Sequence, residues 1–139
     1  TANTDVSFND VKDGFLGMRL AHELQIPTQH DQKFTDDKGN VTILKGGTDK
    51  VANGNYISSE GKIGDAVWGT RAAWVKVFGK MGTDSVSVTI IDHPKNINYP
   101  TYWHARGYGL FAANPLGEKV FTNGALETNL KLKKGEKVA

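Results

Sequence analysis

The chain has 139 residues, 17 basic against 15 acidic, 16 glycines, four prolines and no cysteine. That length buries a core without a metal or disulfide staple, and the missing cysteines exclude disulfides, thiolate zinc sites and cysteine nucleophiles. A formal charge of +2 lacks the concentrated basic excess of a nucleic-acid binder, and no window approaches the ~18 apolar residues of a membrane helix.

Taken in chain order, residues 1–9 carry neither the basic nor the apolar region of a signal peptide. Phe15 to Ala21, after a turn at Asp13-Gly14, reads as a strand with Phe15, Gly17, Arg19 and Ala21 on one face; Gly14 and Gly17 weigh against a helix there. Pro27 to Gly64 is polar and turn-rich, with one short strand predicted at Val41–Leu44. Ala72–Phe78 and Ser85–Ile91 alternate apolar and polar residues around Gly79–Asp84, which predicts a β-hairpin with a turn of about six residues. On the second strand Val86, Val88 and Ile90 face one way and Ser85, Ser87 and Thr89 the other, and on the first Trp74, Lys76 and Phe78 oppose Ala73, Val75 and Val77. Tyr108–Ala113 and Thr128–Leu132 are further strand candidates. The lysines at 131, 133, 134 and 137 read as the solvent face of an edge strand and the turn after it. Short strands, glycine turns and no amphipathic helix of ten residues point to an all-β sandwich. The absent initiator Met and the interrupted tail read as a single domain, residues 1–139, forming part of a longer protein.

The residues richest in chemistry run from Asp92 to Pro115, with two histidines, an arginine, a tryptophan, three tyrosines and three prolines. His93 and His104 are the general acid/base residue types of the stretch. Arg106 can hold an oxyanion, and Trp103 and Tyr102 offer flat faces to a planar ligand or a sugar ring. Strand periodicity sets His104 and Arg106 on one face and Trp103 and Ala105 on the other. Simpler roles stand beside these: His93 as a turn cap, Trp103 as packing. A second patch, Ser58 to Arg71, carries Glu60, Asp65, Trp68 and Arg71 among three glycines. There an Arg71 salt bridge to Asp65 or Glu60 is the structural alternative. No phosphate loop is present, and His93 and His104 lack metal-site spacing.

Asp92-His-Pro94, with the stretch PTYWHARGYGLFAANP from Pro100 to Pro115, resembles a bacterial family of largely unknown function often labelled "methane oxygenase PmoA". Glu60-Gly61, Asp65 and Trp68 to Ala72 are similar to that family's middle region. The resemblance implies the C-terminal part of a longer, secreted or periplasmic bacterial protein, built like the galactose-mutarotase supersandwich. It does not imply the membrane-helix bundle of a true methane monooxygenase subunit. By fold-level analogy, a histidine and a carboxylate act on a sugar as general acid and base. The resulting expectation is a carbohydrate-active protein acting on a sugar or glycoside, with no cofactor. His104 is the expected acid/base, with His93 or Glu60 as its partner. Arg106 and Arg71 are expected to hold substrate oxygens, and Trp68, Trp103 and Tyr108 to stack on the ring. The rivals are a non-catalytic sugar-binding or structural sandwich and a metal-dependent oxygenase or hydrolase using His93 and His104.

Overall fold

The computed structural model describes residues 1–138, apart from the side chains of Gln32, Phe34 and Leu44. The strands are β1 (Val6–Phe8), β2 (Leu16–Arg19), β3 (Gln32–Thr35), β4 (Val41–Leu44), β5 (Asn55–Ser58), β6 (Trp74–Met81), β7 (Asp84–Ile91), β8 (Tyr102–Ala105), β9 (Leu110–Asn114) and β10 (Leu130–Leu132). One single-turn helix, α1 (Glu118–Phe121), and two 3₁₀ turns, His22–Leu24 and Gly64–Val67, complete the elements.

Two three-stranded antiparallel sheets, β5-β6-β7 and β2-β9-β8, supply the inner faces of the sandwich. Tyr56, Val75 and Val77 from the first meet Trp103, Ala105 and Phe111 from the second, with Leu20, Leu24, Val67 and Ala72 closing the core. Burying each large apolar side chain contributes roughly 1.5–3 kcal/mol, so this layer, rather than strand propensity, sets which face of each strand looks inward. Two small antiparallel pairs, β1-β10 and β3-β4, lie outside these sheets.

The predicted hairpin forms with the expected alternation of faces, but its turn is shorter. Met81 pairs with Asp84, leaving only Gly82 and Thr83 between the strands. Gly82 has φ 62°, the positive value that a two-residue hairpin turn with glycine first requires. The strand predicted from Phe15 is observed at Leu16–Arg19, pairing with β9, and the one predicted at Val41–Leu44 is joined by β3, which the sequence pattern did not indicate. The lysine at 131 lies on β10, exposed as expected. No helix among the described residues is long and apolar enough to cross a membrane.

Candidate functional site

The segment Gly69–Ala72 runs alongside the start of β8, held by Gly69 N–H to Trp103 O (2.8 Å), Trp103 N–H to Thr70 O (3.1 Å) and Ala72 N–H to Thr101 O (3.2 Å). This pairing brings the 3₁₀ turn and Trp68 against β8. Strand alternation then sends Trp103 and Ala105 into the core and His104 toward Trp68, as the periodicity predicts.

The His104 and Trp68 rings meet edge to face at 6.2 Å. The Arg106 guanidinium lies 4.2 Å from the Trp68 ring centre. Phe121, on α1, packs between Trp68 (5.4 Å) and Tyr102 (5.2 Å), and Arg71 lies 5.0 Å from the Tyr102 ring centre. The result is a row of Arg106, Trp68, Phe121, Tyr102 and Arg71, with His104 beneath its first half. Gly117 makes the row possible: a Cβ there would stand 2.3 Å from Phe121 Cε2 and 2.5 Å from Asn114 Nδ2.

His104 is 3% exposed, and its Nδ1 bonds the backbone carbonyl of Lys12. A carbonyl oxygen only accepts, so Nδ1 carries a hydrogen, and the neutral tautomer with that hydrogen has Nε2 as its acceptor. That Nε2 is buried with no partner among the described residues, and so are Trp68 Nε1 and Arg106 Nε. Each unpaired buried polar atom costs about 1–3 kcal/mol. All three belong to the two rings and the guanidinium that meet at Trp68, which makes this, among the described residues, the place where buried hydrogen-bonding capacity is left unspent in a cluster. Trp68, Arg106 and Phe121 are each partly exposed, so the cluster reaches the surface while His104 stays below.

Arg106 is fixed through its backbone. Its carbonyl accepts from the Tyr56 hydroxyl (3.2 Å) and from Gly109 N–H (2.9 Å), and its N–H donates to Leu110 O (2.8 Å). Burial, reinforced by the Asp65 carboxylate and the Tyr108 phenol, pushes the Tyr56 hydroxyl well above the usual phenol range, so it remains a donor.

The other expected site residues lie elsewhere or are already engaged. Trp103 is fully buried and its indole N–H donates to Ala72 O (2.9 Å), so it packs and has no face for a ligand. Arg71 does not pair with Asp65 or Glu60. Its guanidinium donates to Pro100 O (2.8 Å) and Asn98 O (2.9 Å) and lies 3.5 Å from Glu118, and those bonds hold the loop before β8. His93 is exposed and its Nδ1 accepts Lys95 N–H (3.2 Å), the turn cap foreseen as its simpler role. Glu60 is exposed in the turn after β5, bonded by Ser59 Oγ (3.1 Å). Neither His93 nor Glu60 bonds to His104. Tyr108 is 40% exposed beside Arg19, and it lines a different cleft. Among the described residues no three His, Asp or Glu side chains gather as a metal site. Phe121 and the Lys12 carbonyl joined the cluster without a sequence signal, Phe121 because a four-residue helix has no periodicity to read; Tyr102, whose flat face the sequence did single out, packs against Phe121 and Arg71.

Fold and site together define an all-β sandwich with a partly buried aromatic–arginine cluster around an oriented histidine. The chain belongs to the Family of unknown function (DUF6807), whose model matches residues 1–139. No curated protein and no solved structure matches it.

Proposed function

We propose that the protein is carbohydrate-active, and that Trp68, His104 and Arg106 receive a hydroxyl of a sugar or glycoside. The observation that carries this reading is the set of three unpaired buried atoms. Trp68 Nε1 and Arg106 Nε are donors, and His104 Nε2 is an acceptor. A hydroxyl has two lone pairs and one hydrogen, so it matches that set in kind. A hydroxyl donating to His104 Nε2 is also the one from which a base at that atom removes a proton. The Trp68 ring face is occupied by Arg106, so recognition here rests on hydrogen bonds more than on ring stacking. The likeness to proteins labelled methane oxygenase and to the mutarotase sandwich, with its periplasmic or secreted setting, belongs to the same reading.

A panel of monosaccharides and methyl glycosides, followed by calorimetry and by ¹H NMR for turnover, tests it. Binding is expected to be lost in Trp68→Ala, and turnover in His104→Leu. If a sugar binds equally well to His104→Leu and is turned over by neither protein, the non-catalytic binding module is the correct reading. If no saccharide binds the wild-type chain, the sugar reading falls.

A further inference from the structure

A second cleft, of about 290 Å³, lies at the β8–β9 loop and shares no side chain with the Trp68 cluster. At ~30 Å³ per water-sized group it admits about ten non-hydrogen atoms. Its walls come from the 3₁₀ turn at His22, the segment around Lys45 and Asp49, and Tyr108.

The hydrogen-bonding capacity of this cleft is unevenly spent. Asp49 is fully engaged: Oδ1 accepts Val51 N–H (2.9 Å) and Ala52 N–H (3.2 Å), and Oδ2 meets His22 Nε2 at 2.7 Å. Those two backbone bonds, followed by His22, hold its carboxyl below the usual range. The hydroxyls of Thr28 and Thr48 donate to the carbonyls of His30 and Lys45 (2.8 and 2.7 Å). What remains unpaired among the described residues is His22 Nδ1, the Tyr108 hydroxyl and the Gln25 amide. Lys45 gives one of its three ammonium hydrogens to Asp31 (2.6 Å) and keeps two. The Arg19 guanidinium, 5.6 Å from the Tyr108 ring centre, adds positive charge nearby. Both oxygens of the one acid in the wall are engaged, and the donors left over are the two remaining Lys45 hydrogens, the Tyr108 hydroxyl and the Gln25 amide N–H groups. His22 Nδ1, by contrast, is an acceptor in the neutral tautomer that donates from Nε2 to Asp49.

We propose that this cleft binds the carboxylate of a small molecule, with the Lys45 ammonium and the Tyr108 hydroxyl donating to it. The acid is either a sugar acid or a plain organic acid, and the experiment separates the two. Sodium glucuronate and sodium succinate, each with glucose and sodium chloride as controls, are titrated into the ¹⁵N-labelled full chain. Saturable shifts are expected at the Thr48, Gly107 and Tyr108 amides with the carboxylates and none with the controls. A response to glucuronate alone identifies a sugar acid, and a response to both identifies the carboxylate itself. Lys45→Gln and Tyr108→Phe, both at exposed positions, are expected to weaken binding about tenfold or more, while His104→Leu leaves it unchanged. Absence of saturable shifts with both carboxylates, or equal affinity in both cleft variants, overturns the proposal.

Discussion

Replacing His104 by leucine tests whether the imidazole is kept for its chemistry or for the fold. The substitution removes the unpaired buried Nε2, a relief of about 1–3 kcal/mol. Against that, the bond to the Lys12 carbonyl is lost, about 0.5–1.5 kcal/mol net. The edge-on contact with Trp68 is lost as well, about 0.5–1.5 kcal/mol. Lys12 is exposed, so its carbonyl can turn to water, and leucine nearly fills the imidazole volume. The terms offset one another, and the expected change in stability lies within about 1 kcal/mol of zero. A neighbouring core side chain sets the contrast: Trp103→Ala removes a fully buried indole and its bond to Ala72 O, a loss of roughly 3–5 kcal/mol. Urea unfolding followed by far-UV circular dichroism measures both, with the slope m confirming that the same surface is exposed. A loss above about 2 kcal/mol in His104→Leu would refute the reasoning, because the imidazole would then be a structural residue whose Nε2 is not an uncompensated cost.

Two further predictions follow from buried or engaged charges. Asp10 accepts backbone N–H groups of Lys119 (3.1 Å), Thr128 (3.0 Å) and Asn129 (2.9 Å), joining the start of the chain to α1 and to the approach to β10. Burial alone would raise its carboxyl, but these three bonds outweigh it and hold it below the ordinary 3.8. Asp10→Asn turns an NH₂ toward at least one of those donors and should cost roughly 2–4 kcal/mol at pH 7. A lowered folded-state value gives stability that is complete above the unfolded carboxylate range and lost on acidification, so the difference from wild type should shrink below about pH 4. Chemical denaturation at pH 7, 5, 4 and 3 checks this, and a gap that stays constant with pH contradicts it. Arg71→Lys keeps the charge but loses the fork that reaches the Asn98 and Pro100 carbonyls. The expected cost is about 1–3 kcal/mol, with faster hydrogen exchange at Thr101 and Tyr102; unchanged exchange there would show that Arg71 does not hold the loop.

The sequence was most legible where one strand face is buried. Val75 and Val77 are buried and Val88 and Ile90 half-buried, and a period of two in the residues was enough to place all four. It was least legible where both faces meet water. Lys80 to Ser85 at the hairpin tip is exposed on both faces, so nothing in its pattern distinguished continued pairing from a six-residue turn. The β3 strand pairs within an exposed hairpin in the same way. For the site, residue types were readable and environments were not. Trp68 and Trp103 are the same side chain, and only the pairing of Gly69–Ala72 with the start of β8 leaves one partly exposed with its N–H free and the other sealed with its N–H engaged. The His22–Asp49 pair joins residues 27 positions apart in segments that carried no motif.

The loop between β8 and β9 ties the two candidate sites to one frame. Nearly every backbone group on it is engaged: Gly107 N–H to Asp65 (3.1 Å), Gly107 O to Ile26 N–H (2.9 Å), Gly109 O to Leu20 N–H (2.9 Å), and Arg106 O to Tyr56. Backbone bonds on Arg106, Gly107 and Gly109 oppose hinging of these four residues and so fix where their side chains leave the backbone. Arg106 is directed to Trp68 and Tyr108 to the second cleft. A loop held in this way bears one residue of each candidate site, and the short run from Arg106 to Gly109 is where backbone hydrogen bonds fix the geometry of both.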